Sequence, residues 1–222
     1  MENAKNSLGY KVVNKLRNLI ATKKRKVEIE EELVNDFSII SCNCIGGMVY
    51  HDLKMKFLSP TINLYIDTPD FIKMCLNLKD YMEKELVDAN NKDYPIGILG
   101  DIKIHFLHYK SFKEAKESWD KRKERINYEK IFVIISDRDN FSENLLDSID
   151  KIPYKKVLYS HKKIEKDYVV YVEKDKKFNT VRTLTDFINF KGIRKYEYYF
   201  DIYKWLSGKY TVKECLKNKK NY

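Results

Sequence analysis

Ile131-Phe132-Val133-Ile134-Ile135-Ser136-Asp137-Arg138-Asp139-Asn140 is the stretch that decides the fold. Its five consecutive apolar residues leave no face for water. That is the pattern of a strand covered on both sides, as found inside an α/β sheet. A polar turn ends the run, and Asn140 and Glu143 stand at capping spacing for a helix reaching about residue 149.

Upstream, Ser111-Phe112-Lys113-Glu114 has the spacing of a capping box, and the helix it opens has the apolar stripe Phe112, Ala115, Trp119 and Ile126. Arg122 falls in that stripe, so its guanidinium must pair with a carboxylate or reach outward. Ahead of this helix Ile102, Ile104 and Phe106 alternate with Asp101, Lys103 and His105, a strand with one apolar and one polar face. Residues 37–41 read as a buried strand running into Cys42-Asn43-Cys44-Ile45-Gly46-Gly47, with a short helix over residues 48–53. Residues 61–66 give another strand, and Asp67-Thr68-Pro69-Asp70 starts a helix extending to about residue 87.

Downstream, residues 156–159 and 168–172 are strand candidates, and 184–190 and 194–207 are helical. The Tyr196, Tyr198, Tyr199, Phe200, Tyr203 and Trp205 cluster reads as helix packing ahead of a carbohydrate-stacking platform. Strands alternating with helices indicate an α/β layered fold with a mostly parallel sheet flanked by helices, Rossmann-like, and a smaller helical C-terminal cap. The expected organisation is a basic N-terminal helix or arm over 1–26, an α/β core over 27–165 and a C-terminal subdomain over 166–222.

The net charge of +10 is unevenly spread. Residues 1–26 carry +7 and residues 203–222 carry +5, which leaves a body of −2. Basic ends on a neutral body fit contact with an anionic membrane surface, RNA or an acidic partner, or simple solvation, and make nucleic acid an unexpected partner for the core. Residues 10–24 can form a basic amphipathic helix for such a surface. The four cysteines lack metal-ligand or disulfide spacing, and no leader or spanning segment is visible. A cytoplasmic location is expected, or a peripheral one at the inner face of the plasma membrane.

If the sheet is mostly parallel, ligands bind beyond the carboxyl ends of its strands. Three polar clusters fall there: Asn43 with Gly46 and Gly47, His108 beyond the alternating strand, and Asp137-Arg138-Asp139. The glycine pair would let backbone amides approach a phosphate, or is simply a tight turn. Asp137 and Asp139 have the spacing with which many nucleotide-sugar transferases hold a divalent cation, here Mg²⁺ or Mn²⁺. His108 is the expected base, supported by His105 and Asp101, with Arg122 or Arg138 clamping a diphosphate. Cys42 and Cys44 read as small buried cysteines, and His51 and His161 as ordinary histidines. Signatures of serine hydrolases, zincins and protein kinases are absent from the sequence.

The run Phe37-Ser38-Ile39-Ile40-Ser41-Cys42-Asn43-Cys44-Ile45-Gly46-Gly47-Met48-Val49-Tyr50 resembles the DUF1919 family. So do Phe57-Leu58-Ser59-Pro60-Thr61, Tyr94-Pro95-Ile96-Gly97, Leu99 through Ser111, Trp119, Arg122, Arg125-Ile126-Asn127 and the Asp137-Arg138-Asp139 loop. The resemblance spans roughly residues 37–160, and departs from the family at Cys42 and Ile45, where Asn and Trp are frequent. The family has no assigned reaction, and its members are often described as bacterial exopolysaccharide-biosynthesis proteins. The resemblance thus implies an α/β fold and a setting in cell-surface glycan assembly. Three functions follow as expectations: a glycosyltransferase-like enzyme using a nucleotide-sugar donor, a phospho- or acyltransferase that modifies a glycan intermediate, and a non-enzymatic peripheral partner of a glycan-assembly complex.

Overall fold

The computed structural model describes residues 36–188 and 192–217, together with 12, 13, 15 and 16. Of the expected N-terminal arm, Val12, Val13, Lys15 and Leu16 are helical and exposed, and the rest lies outside the described residues.

Strand β1 (Ser38–Ser41) opens the parallel sheet. The chain then makes an excursion through helices α1 (Ile45–Asp52), α2 (Thr68–Leu76) and α3 (Leu78–Glu83) into a meander of β2 (Leu86–Asp88), β3 (Ile96–Leu99) and β4 (Ile102–His105). Helix α4 (Phe112–Lys123) leads back to β5 (Ile131–Ser136), which pairs parallel with β1. Helix α5 (Leu146–Asp150), β6 (Lys155–Ser160), β7 (Val169–Tyr171), α6 (Lys195–Tyr199) and α7 (Ile202–Leu206) follow. The main sheet has the order β1-β5-β6-β7 and is parallel throughout, so the α/β layered architecture is present. Strand β7 carries this sheet past residue 165, the end expected for the core.

All six residues of β5 are buried, as an uninterrupted apolar run demands of a strand covered on both faces. One face packs Ile40, Val133, Ile135 and Leu158 against α2 to α5 and the meander, with Phe71, Met74, Phe106 and Trp119 among the largest contributors. The other packs Ile39, Phe132, Ile134 and Tyr159 against α1, α6 and α7. Trp205 meets Phe132 edge to face, with ring centroids 4.9 Å apart. Tyr196, Tyr199, Phe200, Tyr203 and Trp205 are thus packing side chains.

Several elements differ from expectation. The alternating strand Ile102–His105 lies in the separate antiparallel meander, paired with β3, and not in the parallel sheet. The helix expected to run to residue 87 breaks at Asn77 and ends at Glu83, after which Leu86–Asp88 is extended. Residues 184–188 form no helix, and 189 and 190 lie outside the described residues. The helix over 194–207 is split at Phe200, which is extended and bridges to Leu216.

The C-terminal segment is fixed by buried charge. Arg194 donates through Nε to Asp52 Oδ2 at 2.8 Å and through Nη2 to Asp52 Oδ1 at 3.2 Å, and Tyr196 Oη adds a third bond to the same carboxylate. Removing the cation leaves a buried carboxylate without its guanidinium countercharge, so Arg194→Ala should lower unfolding free energy by about 3–5 kcal/mol. Urea unfolding measures this, and a loss under about 1 kcal/mol would show that the pair does not hold the segment.

Candidate functional site

Residues 61–66, expected as a strand, form an irregular strap between the two sheets. Thr61 Oγ1 accepts from the amide of Ser41 at 3.0 Å, and the amide of Ile66 donates to the carbonyl of Cys42 at 3.1 Å. Between these points Tyr65 pairs antiparallel with His105, through backbone bonds of 3.0 and 2.9 Å. The carboxyl ends of β1 and β4 are thereby held side by side. Thr68 then hooks the loop after β5, its amide donating to Asp139 O at 2.8 Å and its hydroxyl to Arg138 O at 2.7 Å. Asp139 and Asn140 sit in the left-handed region at φ 50° and 66°. Asp and Asn are the side chains that best tolerate it, so the sharp turn is written into the sequence.

This arrangement brings two residues distant in sequence into contact. Cys44, past the end of β1, places Sγ 3.8 Å from Nε2 of His108, past the end of β4. Cys44 is half-buried and His108 exposed. Burial pushes the Cys44 thiol above its ordinary ionisation, while the charge of Arg138 pulls the other way. The resting group is therefore a neutral thiol beside an imidazole, and its proton must leave before the sulfur reacts. Cys42, Cys75 and Cys215 are buried. Cys44 did not stand out in the sequence, because its partner lies 64 positions away.

Asn43 has a structural task. Its Oδ1 accepts from the amide of Ile45 at 3.1 Å, and its Nδ2 donates to Ser136 Oγ at 2.9 Å, tying the ends of β1 and β5 together. Gly46 and Gly47 lie inside α1 and are buried, so they are not an open phosphate cradle. A Cβ on Gly46 would come within 3.0 Å of Ser41 Cβ and 3.1 Å of Ile39 Cγ2, which explains this glycine as a close approach of helix to strand.

His105 stacks on Tyr65 with centroids 4.2 Å apart and bonds Tyr94 Oη through Nδ1 at 3.0 Å. Burial lowers its imidazole pKa, against the pull of Asp67, Asp70 and Asp139. It is held between Tyr65 and Tyr94 beside the strap. Asp101 does not join it. That carboxylate lies at the other end of β4, bonded to Lys73 Nζ at 2.6 Å and Tyr81 Oη at 2.6 Å, and these two donors hold its pKa at about 2. Arg122, half-buried, donates to Tyr109 Oη at 2.6 Å and lies over the Phe57 ring. It is a packing residue under the loop that carries His108. Beyond the end of β5, burial raises the Asp139 carboxyl despite the nearby Arg138.

The pair Asp137 and Asp139 does not fit a divalent cation. The Asp137 carboxylate is buried and accepts from Ser160 Oγ (2.9 Å), the His161 amide (2.6 Å), His161 Nδ1 (2.5 Å) and the Val181 amide (2.7 Å). Three of those donors fall on Oδ2 and one on Oδ1, so the carboxylate is held by the protein's own groups. Among the described residues no group of three or more His, Cys, Asp or Glu is placed to hold a metal ion. A cavity of about 560 Å³ opens at the opposite edge of the sheet, beside Lys130, Tyr154 and Lys209, and no candidate residue lines it.

Fold and site define an α/β protein with a parallel four-stranded sheet and a thiol–imidazole pair at its carboxyl edge. The chain belongs to the DUF1919 family, described as a domain of unknown function, which matches residues 13–207. It is similar to an uncharacterised protein of Haemophilus influenzae (strain ATCC 51907 / DSM 11121 / KW20 / Rd), 34% identical over 183 residues that cover 81% of this chain and 88% of that one. No helix among the described residues is long and apolar enough to cross a membrane.

The two glycines give a direct check on this reading. Alanine at either position gains up to about 1 kcal/mol of helix propensity. At Gly46 crowding against the strand outweighs it, and Gly46→Ala should lose about 1–2 kcal/mol. Gly47, whose Cβ would meet Ile62 Cγ2 at an ordinary 3.4 Å, should accept alanine without loss. Equal behaviour of the two variants in thermal unfolding would refute the packing explanation.

Proposed function

We propose that this protein is a glycan-modifying acyltransferase in which Cys44 carries the acyl group. The supporting observation is the approach of Cys44 Sγ to His108 Nε2 at 3.8 Å, within the electrostatic reach of Arg138. A nucleophile and a base within reach of each other are the parts needed for covalent transfer, and such contacts are often loose before substrate binds. His108 Nε2 takes the thiol proton as Sγ attacks the carbonyl carbon of an acyl thioester. The new S–C bond forms, the donor C–S bond breaks, and His108 returns the proton to the departing thiolate. An acceptor hydroxyl then attacks the Cys44 thioester, giving its proton to His108, and the free thiol is restored. Arg138 offers a positive charge for a phosphate-bearing donor.

A glycan acceptor follows from the family resemblance. Metal-assisted transfer from a nucleotide sugar loses its support because Asp137 is occupied by protein donors. The test is incubation with acetyl, succinyl and long-chain thioesters of coenzyme A, followed by intact mass and peptide mapping. One acyl group should appear on Cys44, vanish in Cys44→Ala and slow by about 10²-fold or more in His108→Ala. Absence of acyl on Cys44 with every donor, or full labelling of Cys44→Ala, would overturn the reading.

A further inference from the structure

The side chain of Asp137 is 1% exposed, and the ring it holds, His161, is 12% exposed. His161 Nδ1 lies 2.5 Å from Asp137 Oδ2, a contact that in the neutral ring puts the proton on Nδ1 and leaves the Nε2 lone pair for a ligand. Nε2 makes no hydrogen bond among the described residues. The carboxylate is itself locked by Ser160 Oγ and by the amides of His161 and Val181, so the ring cannot readily turn. Asp137 and His161 stand at the carboxyl ends of β5 and β6, the two central strands of the parallel sheet.

Both residues line a cavity of about 270 Å³. That lies near the lower end of small-molecule sites, which run from about 300 to 1,000 Å³, and is the scale of a single ring. Phe141 and Ile164 form an apolar part of its wall, and Ser142, Asn179 and the ion pair of Lys162 with Glu143 form a polar part. A hydroxylated ring has the same division, with C–H faces that cover an aromatic side chain and hydroxyls at the edge that meet polar groups.

We infer that this cavity is a binding site for a single sugar ring, in which Nε2 of His161, oriented by Asp137, accepts the hydrogen of one ring hydroxyl. The pair has the form of an oriented general base, in which the buried carboxylate fixes the tautomer and stabilises the imidazolium that forms when the hydroxyl proton moves to Nε2. The inference does not rest on the Cys44 chemistry. It concerns a different imidazole, on the other side of the β5 loop. The observations that support it are a cavity and a ring held by a buried carboxylate, neither of which the Cys44–His108 pair shares.

The test uses the full chain and nuclear magnetic resonance of the histidine rings, with glucose, galactose, mannose and their N-acetylamino derivatives as probes. The His161 ring signal, assigned by its loss in His161→Asn, should report the neutral Nδ1–H tautomer and should shift as one of these sugars is added. Saturation-transfer signals from that sugar should weaken in His161→Asn, whose amide still donates to Asp137, with the dissociation constant rising about tenfold. The same binding should persist in Cys44→Ala, so failure of the acyl-transfer reading and failure of this one are separable. No shift of the His161 signal with any of the sugars, or equal binding by His161→Asn, would overturn the inference. Should His161→Asn fail to fold, His161→Gln supplies the assignment and the wild-type shifts decide the matter alone.

Discussion

The amide of Ile66 donates to the carbonyl of Cys42 while Tyr65, its neighbour, exchanges two backbone bonds with His105. These three hydrogen bonds join a parallel sheet to an antiparallel meander that shares no strand with it. Each sheet is satisfied internally, and neither would otherwise bring its polar ends to the other. Through this strap the exit of β1 and the exit of β4 become neighbours, and Cys44 meets His108. Apolar contacts beneath it, from Leu64 and Ile66 into the core shared with Phe71 and Phe106, fix the strap on the sheet. Thr68 extends the same logic by holding the backbone of Arg138 and Asp139 at the rim.

Much of the fold was legible where a local pattern has one physical outcome. The apolar run at 131–135 could only be covered on both faces, and Ser111 does cap α4, its Oγ accepting from the amide of Glu114 at 3.2 Å. Where pattern and outcome are not unique, the reading diverged. Alternation in Ile102–His105 is the same for a strand of either sheet, and only its pairing with β3 decides between them. The Asp67 start was sound, but the helical period over 68–83 continues in sequence across Asn77, where the backbone leaves the helical region.

The site was half visible. The rule that ligands gather at strand exits pointed to His108, Arg138 and Asp139, all of which lie beyond strand ends. Asp101 lies instead at the entry of β4, and the same rule applied at the exit of β6 would have pointed to His161 as well. Asp137 and Asp139 looked paired because their spacing is the one many nucleotide-sugar transferases use to hold a cation. Spacing does not show that the Asp137 carboxylate turns inward onto Ser160, His161 and Val181, nor that Asp139 sits in the left-handed region. Cys44 could not be singled out, since contact with His108 depends on the strap and not on any spacing near the thiol.

Whether Cys44 and His108 act as one chemical unit is read from the pH dependence of Cys44 alkylation with iodoacetamide, followed by peptide mapping in the wild type and in His108→Ala. Burial raises the thiol pKa, so at neutral pH the proton must be removed by a neighbouring base. Loss of His108 should slow alkylation roughly tenfold or more near neutrality. The two profiles should converge as pH rises past the thiol's own ionisation, where no base is needed. Superimposable profiles across the whole range would show that the two groups do not act together.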